Sequence, residues 1–288
     1  MKSKDVVLLG CGDIGTGLAE QLQQQGQRPL GVRRNPSALP AWLPALALDY
    51  SEPEQLQRLQ DVACDLLIMT PTPSGRGEPG YRQGYLQPVE NLLASWRELA
   101  PRDIIYVSST RVYGDHGGEW VDEQSELRPA DGCAEILCEA ERLLQESHHR
   151  VCIVRFSGIY GRLPSRLLQR IAAGELCLPQ PLRYSNRIHR ADCIGFLAHL
   201  VALPERLPVY IGVDNEPAVQ QEVEVWLAHQ LGVDDYRETA PLMSANRRCS
   251  NRRLQESGYV LRYPDYRAGY SDIITSTSIS TALGKAAT

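Results

Sequence analysis

Residues 5–19 read DVVLLGCGDIGTGLA. An apolar run breaks at Gly10, Gly12 and Gly15, spaced G-x-G-x-x-G, and a helix-forming stretch follows at once. Each glycine has a separate physical task in such a turn. The first permits the tight bend, the second lets backbone approach a pyrophosphate, and the third lets the helix pack close to the strand. The N–H groups of Gly10, Cys11, Gly12, Asp13, Ile14 and Gly15 then face the ligand with the positive end of the helix behind them. A glycine-rich turn that holds nothing is the competing reading, and the surrounding pattern decides between them.

That pattern alternates. DVVLLG (5–10), PLGVR (29–33), LALD (46–49), CDLLIM (64–69), DIIYVS (103–108) and VCIVRF (151–156) read as strands. Helices are expected over about 15–25, 53–59, 83–99 and 134–146. Most of the strands are bare apolar runs rather than alternating ones, the mark of a parallel sheet covered on both faces. The fold class is α/β, a Rossmann-type doubly wound parallel sheet with a smaller C-terminal lobe. Beyond Phe156 the rhythm weakens. A helix is expected near Asp192, a strand at PVYIGV (208–213) and a helix over 221–231, followed by a mixed stretch from 237 to 267. The expected division is a dinucleotide-binding domain over 1–160, a substrate lobe over 161–274 partly interleaved with the sheet, and a disordered tail over 275–288.

The cofactor type is read at the end of the second strand. An acidic residue about 20 residues past the glycine loop serves NAD, because it accepts hydrogen bonds from the ribose hydroxyls. Here the position reads VRRNP, with Arg33 and Arg34 and no acid. A carboxylate would repel a 2′-phosphate, whereas guanidinium pairs with it, so NADP(H) is favoured over NAD(H). The alternative is that these arginines extend into solvent. Asp49 is placed to meet the adenine amino group or to cap the helix near Pro53. Thr70, Pro71 and Thr72 end the fourth strand at the carboxyl edge, where ligands bind in such sheets, and Ser108 at the end of the fifth joins the cofactor set.

Composition narrows the partners. With 288 residues, 43% hydrophobic, 23% charged and a net charge of −5, the chain can bury a large core and lacks the basic balance of a nucleic-acid binder. The apolar runs are strand-sized, so neither a membrane span nor a signal peptide is expected, and the reading is a soluble protein of the cytoplasm. None of the eight cysteines has C-x-x-C spacing and the six histidines are scattered, which points to reduced buried thiols and no metal site.

VSSTRVYGD (107–115), VRFSGIYG (154–161) and NRIHRAD (186–192), with the glycine loop and Asp49, make the chain resemble the extended branch of the short-chain dehydrogenase/reductases, the NAD-dependent epimerase/dehydratases. The resemblance runs to about Tyr270. It implies that Ser109 binds the substrate oxygen that exchanges hydride, that the GIYG turn and His189 shape the substrate pocket, and that dimers form on two helices of the sheet. It also shows departures. Anchored on Glu141, the positions of the catalytic Tyr-x-x-x-Lys hold Cys133 and Leu137, Tyr85 replaces an upstream asparagine, and Leu9 stands where a first glycine is usual. These departures resemble the atypical short-chain dehydrogenases, which keep the cofactor site and lack the standard pair.

Tyr113 or Tyr85 could replace the missing proton donor if Arg111 lowered a phenol that ordinarily titrates near ~10. Either could equally be a packed tyrosine with its hydroxyl satisfied. Cys133, opening a helix, is a candidate nucleophile or substrate contact. Arg247, Arg248, Arg252 and Arg253 form either a solvated face or a grip on an anionic small-molecule substrate, with Arg247 the favoured contact. Two functions stay open. One is an atypical NADP(H)-dependent oxidoreductase or sugar-nucleotide-type epimerase/dehydratase. The other is a non-catalytic dinucleotide-binding sensor or regulatory protein.

Overall fold

The computed structural model describes residues 3–95, 103–240 and 245–276. Its centre is a seven-stranded sheet. We number the strands of this sheet β1 (Asp5–Leu9), β2 (Arg28–Arg33), β3 (Ala45–Ala47), β4 (Leu66–Met69), β5 (Asp103–Ser109), β6 (Arg150–Phe156) and β7 (Val209–Gly212). Their order across the sheet is β7-β6-β5-β4-β1-β2-β3. β1 pairs in parallel with β2 (Val7 opposite Leu30) and with β4 (Val7 opposite Leu67). The order reverses between β1 and β4, which is the switch point where a doubly wound sheet leaves a crevice. Val6–Leu9, Leu66–Met69 and Ile104–Tyr106 are buried throughout, so the bare apolar runs are two-sided strands.

The helices are α1 (Asp13–Gln24), α2 (Pro53–Leu56), α3 (Gly77–Tyr81), α4 (Gln87–Ser95), α5 (Gly132–Gln145), α6 (Arg166–Ala172), α7 (Arg190–Ala202), α8 (Gln220–Leu231), α9 (Arg252–Glu256) and α10 (Tyr266–Ser276). A wide π turn over Arg82–Leu86 joins α3 to α4.

Two compact units share the chain. The first comprises 1–112, 127–155 and 194–210, and the second 113–126, 156–193 and 211–288. The first unit's core gathers Val7, Leu9, Leu67, Met69, Leu86, Val89, Leu92, Ile104, Tyr106, Ala140 and Leu144. In the second, Leu168, Ile171, Leu176, Val223, Leu227, Tyr266, Tyr270 and Ile273 pack together. Its α8 carries Glu224, fully buried and satisfied by Arg170, Gln220 and the Cys177 N–H (2.7 Å).

Several boundaries differ from the sequence reading. The helix expected from Gln83 starts six residues earlier, at Gly77, and residues 96–99 of that expectation lie outside the described residues. Glycines 77, 80 and 84 argue against helix by propensity, but tertiary packing requires two of them. A Cβ on Gly80 would land on the Gly75 backbone, and one on Gly84 on the Thr72 carbonyl. The third strand ends at Ala47 rather than Asp49, and the helix after it tightens into a 3₁₀ turn over Gln57–Leu59. Residues 275 and 276, assigned to the expected tail, belong to α10, which runs through Ser276 on the buried spacing Tyr266, Tyr270, Ile273. Residues 277–288 lie outside the described residues.

Candidate functional site

Gly10 adopts φ +83°, in the left-handed region, and a Cβ there would meet the Thr70 carbonyl oxygen at 3.0 Å. Only glycine fits both demands. Gly12 is the N-cap of α1 and has no side chain with which to cap the first turn of the helix. The space beside Gly12 is open, the nearest atom to a Cβ there being the Gly10 carbonyl at 3.7 Å. Gly15 faces the Cys11 sulfur (3.3 Å from a Cβ) and the Thr70 hydroxyl (3.5 Å). Thr70 donates its hydroxyl to the Gly10 carbonyl (2.9 Å) and its N–H to Leu9 (3.0 Å), locking the end of β4 to the turn. Cys11 is buried against Gly31 of β2, and burial pushes its thiol up, so it packs as an apolar group. Pro71 is buried and Thr72 exposed just beyond.

Arg33 closes β2, and Arg34 is exposed beside it. Among the described residues neither pairs with a carboxylate. Their charges are felt at the Cys11 thiol and at the Tyr50 phenol respectively, so both lie beside the glycine turn. Asp49 Oδ1 accepts from the N–H (3.0 Å) and hydroxyl (2.6 Å) of Ser51, and its own N–H donates to Gln55 (2.8 Å). That is an Asx turn rather than a cap on α2, whose N-cap is Glu52.

Further along the first unit, Ser109 ends β5. Its Oγ accepts the Arg111 N–H (3.2 Å), which leaves its own O–H to donate. Arg111 forms a bidentate pair with Asp131 (2.5 and 3.3 Å), lies over the Tyr81 ring, and by its hydrogen bond holds the Asp131 carboxyl below the usual carboxylate range. Tyr81 stacks on Tyr85 with centroids 5.3 Å apart. The structure thus groups Tyr85, Arg111, Tyr81 and Asp131. Arg111 does favour the phenolate of Tyr85, but burial and the neighbouring Tyr81 and Tyr50 outweigh it and push that phenol up. Asp131 also caps α5 through the Ala134 N–H (2.9 Å), and Cys133 sits buried in the first turn that follows.

Ser108 points elsewhere. Its hydroxyl donates to Glu141 Oε1 (2.5 Å), and Glu141 is held by Arg155 in a fully buried bidentate pair (2.6 and 3.1 Å). This triad ties β5, α5 and β6 together. The sequence reading used Glu141 only as an anchor and did not anticipate its partner, since nothing in VCIVRF marks Arg155 as inward-facing.

In the second unit Tyr113 is fully buried. His189 is buried too, accepting the Ala191 N–H at Nδ1 (3.2 Å), which leaves the proton on Nε2, and burial lowers its pKa. The ring packs on Tyr160 and Tyr263, and Gly161 of the GIYG turn is required there because a Cβ would strike Nε2. The arginine run is not one solvated face. Arg247 is buried and donates to the Gly114 carbonyl (2.7 Å), while Arg248 lies between the rings of Trp120 and Tyr184. Only Arg252 is fully exposed, in an i,i+4 pair with Glu256.

Residues 6–178 match the NAD dependent epimerase/dehydratase family. The chain belongs to that family. It is an epimerase/dehydratase-like protein of the NAD(P)-binding class, and the glycine turn described above lies within the matched segment. It is 30% identical over 275 residues to protein YeeZ of Escherichia coli K12, spanning 91% of this chain and 97% of that protein. A solved structure from Methylobacillus flagellatus, provisionally named an NAD-dependent epimerase/dehydratase, is 30% identical with a TM-score of 0.82 and covers 96% of this chain and 99% of its own. The fold extends to more distant epimerases. The UDP-glucose 4-epimerase of Thermus thermophilus, solved with NAD, is 17% identical with a TM-score of 0.77, covering 92% and 96% of the two chains. No helix among the described residues is long and apolar enough to cross a membrane.

Proposed function

We propose that this epimerase/dehydratase family member is an NADP(H)-dependent oxidoreductase or epimerase of the atypical kind, acting on a small anionic molecule. The observation that carries the cofactor preference is the pair Arg33 and Arg34, which end β2 beside the glycine turn with no carboxylate partner among the described residues. The α1 N-terminus would hold the pyrophosphate and the two guanidiniums the 2′-phosphate, with Asp49, Thr70, Pro71 and Thr72 along the crevice. When bound, the cofactor supplies or accepts hydride.

The chain's own contribution is orientation and proton donation. Ser109, its Oγ already accepting the Arg111 N–H, keeps its O–H for the substrate oxygen. Burial pushes the Tyr85 phenol up and makes it a weaker acid than a free phenol, so its proposed role is a hydrogen bond to the substrate oxygen rather than that of a base. Arg111 is the proposed substrate contact in the first unit, and the proposed assembly is a homodimer. One observation favours the non-catalytic alternative. Leu137, fully buried, can neither lower a phenol's pKa nor hold a ribose.

The test is calorimetric titration of the protein with NADPH and NADH, repeated on Arg33→Ala/Arg34→Ala. NADPH should bind more tightly than NADH and lose at least tenfold in the double variant, with NADH unchanged. Equal affinity for both dinucleotides would overturn the preference, and binding of neither would overturn the proposal. If a carbonyl substrate oxidises NADPH, Ser109→Ala should lower kcat; an unchanged kcat would remove Ser109 from the reaction.

A further inference from the structure

We propose that Tyr50 is a cofactor-binding residue, its phenolic O–H donating to the pyrophosphate of the dinucleotide at the switch point between β1 and β4. The inference rests on the dinucleotide reading above and extends it to a residue that the glycine fingerprint does not include.

Tyr50 follows β3, and its hydroxyl lies 3.4 Å from where a Cβ on Gly10 would stand, the Thr70 carbonyl lying 3.0 Å from the same point. Gly10 ends β1 and Thr70 ends β4, so the hydroxyl sits at the carboxyl ends of the two strands that flank the crevice. The residue is half-buried, its ring packed on the first unit's core. Among the described residues its hydroxyl has no hydrogen-bond partner.

The backbone around it is fixed. Asn91 of α4 donates to the carbonyls of Ser51 (2.8 Å) and Tyr50 (3.4 Å), Gln87 donates to Ser51 (3.3 Å), and the Asx turn at Asp49 closes the other side. A donor held in place before the ligand arrives loses little entropy on binding. The Arg34 charge also reaches Tyr50 and favours an anion beside it.

A second observation points to the same spot. The Tyr106 hydroxyl on β5 is completely buried with no hydrogen-bond partner among the described residues. Its interacting titratable neighbours are Tyr85, Glu141 and Tyr50. Tyr85 in turn interacts with Tyr50. The three phenols lie within electrostatic reach of one another, and of the three the Tyr50 hydroxyl is the one seen against the glycine turn. Leaving a buried hydroxyl such as that of Tyr106 unpaired is costly, which points to a polar group or ordered water in this part of the first unit. Tyr50, whose hydroxyl stands against Gly10, is placed to reach an oxyanion at the turn.

Tyr50→Phe removes only the hydroxyl. In calorimetry, its Kd for NADPH and for NADH should both rise about tenfold, the worth of a hydrogen bond to a charged acceptor, with their ratio kept. That pattern differs from Arg33→Ala/Arg34→Ala, which should change the ratio. The unliganded thermal midpoint should stay at the wild-type value, because the deleted group has no partner in the protein. Wild-type Kd values in Tyr50→Phe, a loss confined to one dinucleotide, or a fall in the unliganded midpoint would each overturn the assignment while leaving the Arg33/Arg34 result standing. Failure of the wild-type protein to bind either dinucleotide would overturn both.

Discussion

Asp214 offers the sharpest quantitative test of the structure. The residue is 2% exposed. Its Oδ1 accepts the Glu216 N–H (3.1 Å), its N–H donates to the Arg187 carbonyl (2.7 Å), and its Oδ2 has no partner among the described residues. The nearby Arg187 guanidinium is engaged by Ser185, Gln220 and Tyr270 rather than by this carboxylate. Burial, with the like charges of Asp265 and Glu216 adding to it, pushes the Asp214 carboxyl up to about 8, against the partial opposition of the Glu216 N–H and Arg187. An unfolded chain releases this proton near pH ~3.9, whereas the folded protein keeps it to about 8. Between these values the native state binds one more proton than the unfolded state, so stability falls as pH rises, by about 1.4 kcal/mol per pH unit. Asp214→Asn has no proton to lose. Its stability relative to wild type should therefore climb by about 3 kcal/mol from pH 5 to pH 7. Urea unfolding of both proteins at pH 5, 6 and 7, followed by tryptophan fluorescence, measures that difference directly. A difference that stays flat would show that the carboxyl ionises normally in the native protein, and the description of a buried carboxyl with an unpaired Oδ2 would be wrong.

Two other variants probe the first unit. Glu141→Gln leaves the buried Arg155 charge without its counter-ion and should cost about 3–5 kcal/mol in chemical denaturation; a loss under 1 kcal/mol would mean that water reaches the pair. Gly10→Ala forces a side chain into φ +83° and against the Thr70 carbonyl. It should cost roughly 1–2 kcal/mol in stability, and it should also abolish dinucleotide binding, so a variant that binds NADPH normally would contradict the geometry of the turn.

The glycine spacing at 10, 12 and 15 was legible from sequence, and at Gly10 the left-handed backbone and the close Thr70 carbonyl admit no side chain. The apolar runs of β1, β4 and β5 announced a two-sided sheet for the same local reason: a strand buried on both faces cannot alternate. Arg33 and Arg34 were legible as a pair, because the end of β2 sits at a fixed distance from the loop. What the local pattern could not carry is any position whose role depends on a distant partner. Ser108 reads as one more polar residue at a strand end until Glu141 and Arg155 arrive from α5 and β6. Tyr50 reads as a loop residue until Gly10 and Thr70 close beside it. The helix from Gly77 was hidden behind glycines that propensity counts against it and that packing requires. Sequence by itself determined the doubly wound sheet and the dinucleotide turn, since both are written in short-range spacing. Only the tertiary structure decided which polar side chains are buried together, because a buried charge or hydroxyl is set by the elements that fold over it, far away in the chain.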